Sequence, residues 1–199
     1  DIITSVKVIS GSDLAKLDTT GTLTQKYQAS LKVLESTYEL ISESDTCNIS
    51  NIISNQDLNL SEYIPVAPPM NNHILPIKEC FNKLKSLVGK TFVDAGADQE
   101  RNRGAALHAL VCEALGYSNF RDDGKFPDVK HQLLEVKLQT SPTIDLGLVC
   151  PNSESHLDLE KVNGVQIRHC DVRYALFYAE TINGMVKITH IYLTTGKDF

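Results

Sequence analysis

At 199 residues and 42% hydrophobic, the chain can bury one good core with room for a small appendage; no apolar run approaches the roughly 18 residues that span a bilayer, which excludes a helical membrane protein. The five cysteines (Cys47, Cys80, Cys112, Cys150, Cys170) are odd in number, scattered and without a C-x-x-C pair, which excludes a disulfide framework or zinc knuckle and points to a reducing interior. A net charge of -6 argues against a broad electrostatic grip on nucleic acid, but leaves open a local basic face or a carboxylate-lined metal site.

Along the chain, Val6 to Ile9 reads as a short strand closed by Gly11. From Thr24 the residues Tyr27, Leu31, Leu34, Tyr38 and Ile41 recur at spacings of four and three, which predicts a helix docked on the core or, with the same spacing, against a second helix. Residues 42 to 73 are rich in Ser, Asn and Asp, with Pro65, Pro68 and Pro69 following, and are expected to form a long irregular connection. A boundary is placed here, between a mainly helical N-terminal region, 1–75, and a second unit, 76–199. After Pro76, the residues Ile77, Cys80, Phe81, Leu84, Leu87 and Val88 mark an amphipathic helix stopping at Gly89. Gly89-Lys90-Thr91 imitates the end of a phosphate-binding loop, but Leu84 stands where that loop needs glycine and the segment leaves a helix, so no nucleotide cofactor is expected.

Asp98 can cap a further helix ending at Gly116, with Leu107, Leu110, Val111, Ala114 and Leu115 inward. At about 100° per residue Glu100 shares that inner face, where it either complements the helix dipole or serves a site, whereas Glu113 falls opposite. Asp122-Asp123-Gly124-Lys125 is a turn signal, Pro127-Asp128-Val129 borders a strand, and Leu133 to Gln139 forms the next. Val172 to Ala179, the turn Asn183-Gly184 and Val186 to Thr194 make a hairpin, so a mixed sheet with helices packed on it, an α+β fold, is expected. A start without Met and the end at Gly196-Lys197-Asp198-Phe199 read as those of a piece of a longer chain.

The chemistry concentrates in "FPDVKHQLLEVKLQ", residues 126 to 139. Read with period two, Leu134, Val136 and Leu138 point one way and Glu135, Lys137 and Gln139 the other. A tight reversal around Lys130-His131-Gln132 would set Asp128 beside Glu135. Magnesium takes hard oxygen ligands, commonly one or two carboxylates with water and substrate phosphate, and these two acids suit it. Lys137, about 7 Å further along the face, would hold an attacking water or offset charge on a phosphorane-like transition state. The bland alternative is a solvated salt bridge on a strand face. Lys125, Lys130, Ser141, Thr143 and Arg173 are candidates for phosphate or base-edge contacts. The histidines, with His108 on a helix flank, show no ligand spacing.

Pro127-Asp128 followed by Glu135-Val136-Lys137 resembles the PD-(D/E)xK nuclease superfamily, and "SPTIDLG" followed by "CDVRYALFYA" is similar to type II restriction endonucleases within it. The resemblance covers residues 98 to 199. It implies a restriction-endonuclease-like core with a mixed central sheet flanked by helices, Mg²⁺ held by Asp128, Glu135 and the Val136 carbonyl, and Lys137 assisting the water. It also assigns Glu100 to the acid that the preceding helix often supplies. Some branches use a glutamine after the lysine, matching Gln139; where those branches carry a tyrosine four residues on, this chain has Thr143. The implied reaction is in-line attack on a double-stranded DNA phosphodiester to leave 5'-phosphate and 3'-hydroxyl ends, performed by a homodimer in a prokaryotic cytoplasm. A repair, recombination or phage nuclease of the same superfamily, and a DNA-binding module without turnover, are the alternatives.

Overall fold

The computed structural model describes residues 27–30, 36–94, 100–141 and 143–199. In chain order its regular elements are β1 (Tyr27–Ser30), β2 (Tyr38–Leu40), α1 (Ile77–Leu84), β3 (Thr91–Val93), α2 (Glu100–Leu115), β4 (Leu134–Gln139), β5 (Thr143–Gly147), β6 (Arg173–Ile182) and β7 (Met185–Thr195). Short 3-10 turns lie between them, among them Lys130–Gln132 just before β4.

The β6–β7 hairpin is the frame. Asn183 and Gly184 both take positive φ, 50° and 74°, as a two-residue turn between right-twisted strands requires. From there the strands pair back to Arg173 opposite Thr195. β7 carries β2 parallel along Ile191 to Leu193 and β3 antiparallel along Met185 to Lys187, while β4 joins the far side of β6 in parallel. Among the described residues the resulting five-stranded mixed sheet runs β2-β7-β6-β4, with β3 on the same flank of β7 as β2, and β4 is its edge. β1 and β5 form a separate antiparallel pair.

Alternation along β6 separates two cores. Ala175 and Phe177 pack with Leu84, Val111 and Leu134 beneath α1 and α2. Tyr174, Leu176 and Tyr178 face the other way, with Ile144, Leu146 and Ile167. α2 ends as its sequence demands: Gly116 takes φ 104°, the Gly116 N–H donates to Glu113 and the Tyr117 N–H to Cys112, closing the last carbonyls. Its buried stripe is Leu107, His108, Val111, Cys112 and Leu115, rotated from the expected one so that Leu110 and Ala114 are only half-buried.

The helix expected from Thr24 is corrected by the residues described there, since Tyr27–Ser30 and Tyr38–Leu40 are strands. Each strand opens on a tyrosine, which suits a pleated surface, and each finds a distant partner, β5 or β7, that local periodicity cannot announce. The Val6 to Ile9 strand and Asp98 lie outside the described residues. Residues 42 to 73 are irregular apart from one 3-10 turn, as expected, yet they and the two residues that follow bury Ile49, Ile52, Leu60, Ile74 and Leu75 in the two cores. All five cysteines are free thiols, and among the described residues no helix is long and apolar enough to cross a membrane.

Candidate functional site

The site is built on the edge strand β4 and the turn feeding it. Val129 and Leu134 exchange backbone hydrogen bonds of 2.9 and 3.2 Å, which closes a narrow loop around the 3-10 turn Lys130–Gln132. Leu133 absorbs the tightness with φ 50°, a left-handed conformation uncommon for a non-glycine residue. Closing this loop interlocks the two acids. The Asp128 N–H donates to Glu135 Oε2 at 3.1 Å, and Asp128 Oδ2 accepts from the Val136 N–H at 2.9 Å. In an extended strand a residue's N–H and C=O point toward the same side. The Val136 carbonyl therefore faces the open edge that Asp128 occupies.

Glu135 is 4% exposed and its Oε1 meets Lys137 Nζ at 2.5 Å. Burial pushes the Glu135 carboxyl up to about 7, the neighbouring Asp128 charge pushes the same way, and Lys137 opposes both. Burial likewise raises Asp128 above the usual carboxylate range, against the Val136 amide and the Lys137 charge. Two carboxyls are thus crowded into a poorly solvated place where full ionisation needs added positive charge. Three cavities surround the strand, and Lys137 lines them all. One of about 150 Å³ contains Asp128, Asp122 and His108; one of about 330 Å³ reaches Arg103, Gln139 and Asp145; one of about 360 Å³ holds Glu135 among aromatic and aliphatic walls.

As a seat for a divalent cation, the donor set comprises the two carboxylates and the Val136 carbonyl, all hard oxygens. Among the described residues no three His, Cys, Asp or Glu side chains gather as a metal-ligand group. Magnesium does not require such a cage, because it keeps several waters and commonly takes one or two protein carboxylates. The residues therefore fit a hydrated hard ion and do not fit a fully protein-ligated one.

Asp128, Glu135, Val136 and Lys137 are brought together. Gln139 lines the adjoining cavity, but its amide donates to the Thr143 carbonyl, which Ser141 Oγ also reaches at 3.1 Å, so these three shape the β4–β5 turn. Lys125 is exposed in the acidic turn, where its N–H donates to Asp123, and Lys130 pairs with Asp123 at 3.1 Å. Arg173 is a correction. It is fully buried, ion-paired with Asp45 at 2.6 Å, and cannot reach a phosphate; the start of β6 lies inside the fold, where its guanidinium joins segments together. Glu100 opens α2, and its side chain lies outside the described residues.

Sequence reasoning set aside His108 and His169 for want of ligand spacing and missed Phe126 and Tyr174; all four line the cavities. His108 had a readable signal. Positions 108, 111, 112 and 115 are spaced as one helical stripe. It is 4% exposed, its Nε2 lies 3.3 Å from the Arg121 carbonyl and 3.4 Å from Cys112 Sγ, and its Nδ1 has no hydrogen-bond partner among the described residues. No protein-family model, curated protein or solved structure matches the chain.

Proposed function

We propose that the protein is a Mg²⁺-dependent DNA endonuclease of the PD-(D/E)xK class, with a type II restriction role as its leading form. The observation that supports this is the interlocked pair Asp128 and Glu135, with Lys137 bonded to the second acid, gathered on β4 and the turn that feeds it. A salt bridge on an ordinary strand face would be solvated; here Glu135 is buried and its charge is opposed by Asp128.

Asp128, Glu135 and the Val136 carbonyl would hold the ion. Bound there, a divalent cation supplies Lewis acidity toward phosphate oxygens and makes water more acidic. The chain's own residues do the rest. Glu135 fixes the Lys137 ammonium, which presents donors to an attacking water and offsets charge accumulating on the phosphoryl oxygens. The open edge of β4 leaves room for a backbone phosphate to approach. Cutting both strands of a duplex at related positions calls for two copies of the site, hence a symmetric dimer.

The test is cleavage of supercoiled plasmid with Mg²⁺, followed by sequencing of the product ends. Glu135→Gln should abolish cutting and Lys137→Ala should lower it by about 10² to 10³, both with an unchanged circular-dichroism spectrum. Undiminished cutting by Glu135→Gln would end the assignment. Discrete fragments identify restriction, whereas a smear identifies another nuclease biology.

A further inference from the structure

The cavity of about 360 Å³ on the Glu135 side of β4 has a character that phosphodiester chemistry does not require. Its rim is apolar and held in water: Phe126 is 38%, Val149 42% and Leu148 63% exposed. The Phe126 ring stacks on His169 at 5.6 Å and 21°, and tilts against Tyr174 at 6.2 Å. Burial holds His169 below its ordinary value, so near neutrality it is a flat uncharged ring. Glu135 and Lys137 complete the lining.

Three features identify what fits. Apart from the Glu135–Lys137 pair at its edge, the lining is largely aromatic and aliphatic and suits an uncharged group, while Lys137, shared with the Asp128 cavity, places an anion just outside. Flat aromatic walls favour a planar ring. Two of the cations expected at phosphates are engaged, Arg173 sealed in the core and Lys130 tied to Asp123, in a chain of net charge -6. Stacking, which every base offers, can add to the phosphate contacts that remain. A base inside a duplex is already sandwiched and cannot enter.

We propose that this cavity receives one unpaired nucleobase of the strand whose phosphodiester lies against Lys137, so that the DNA is locally opened where it is cut. This rests on the nuclease reading and names its substrate class. Phe126 and Leu148 are then specificity-determining residues that never touch the reacting phosphate.

The test compares, by fluorescence anisotropy in Ca²⁺, an oligothymidylate of roughly a dozen nucleotides with an abasic oligomer of the same length and charge. The full chain should bind the base-bearing oligomer about tenfold more tightly. Phe126→Ala should erase that preference, and so should Leu148→Trp, which fills the mouth from an exposed position and keeps the measurement decisive if Phe126→Ala fails to fold. Equal affinity for the two oligomers, or a preference surviving in folded variants of both kinds, overturns the proposal. Strand scission with Mg²⁺, measured in parallel, reports on the nuclease reading separately: scission without base preference removes the cavity's role alone, and base preference without scission removes the nuclease while leaving the cavity a base-binding site.

Discussion

Glu135 sits under opposing demands, since burial and the Asp128 charge favour its neutral form while Lys137 favours the anion. The carboxyl rises from an ordinary 4.5 to about 7 in the fold, so between those values the folded chain retains a proton that the unfolded chain has released. The contribution of Glu135 to the stability of the metal-free protein therefore falls as pH rises through that window and the raised Asp128 acts in the same direction, while His131, held down to about 4 by burial, acts oppositely over much of it. In EDTA, the urea midpoint of Glu135→Gln relative to the parent chain should therefore rise from the lower end of the window to neutral pH. Added Mg²⁺ should restore the midpoint at the upper end, because the ion binds the deprotonated form. At this scale much was legible. Glu135 and Lys137 stand out as charges alternating with Leu134, Val136 and Leu138. Arg173 was not legible, because an arginine at the start of an apolar strand looks the same whether it points to solvent or closes a buried ion pair with an acid as distant as Asp45.

The turn Lys130–Gln132, between the two acids, is anchored from outside. Gln132 accepts from the Leu75 N–H at 2.8 Å and donates to the His73 carbonyl at 2.8 Å, while the His131 ring stacks on Tyr63 and its Nδ1 meets the Tyr117 hydroxyl at 2.8 Å. The irregular segment before α1 is thus a brace for the loop that brings Asp128 to Glu135. Gln132→Ala leaves a buried amide and a buried carbonyl without these partners, and should cost about 2 to 4 kcal/mol in urea denaturation. It should lower the proposed nuclease activity beyond the loss explained by the unfolded fraction. The hairpin and α1 were readable from turn chemistry and period. β1 and β2 were not, because strands this short are specified by pairing with β5 and β7 far along the chain.

Across the whole molecule, one buried ion pair joins segments that sequence reading would assign to separate units. Asp45 receives Arg173 Nε at 2.6 Å and the Ile77 N–H at 2.9 Å, while Arg173 Nη1 reaches the Gln132 carbonyl at 3.4 Å. The starts of α1 and β6 and the turn before β4 therefore meet at a single ion pair. Asp45→Ala strands a guanidinium in the core and should destabilise the fold by about 3 to 5 kcal/mol, with Asp45→Ala/Arg173→Met recovering part of the loss. Thermal or urea unfolding decides it, and DNA affinity of whatever remains folded should be unchanged. The shared core was hidden from the sequence because Ser- and Asn-rich composition signals irregular backbone but not whether its few apolar residues are buried.

A terminal strand with unpaired amides tempts neighbouring chains to add themselves, and among the described residues β4 ends the five-stranded sheet. Asp128 already claims the Val136 amide, so the side chain assigned to phosphate chemistry also guards against intermolecular association. Its removal would expose both weaknesses at once.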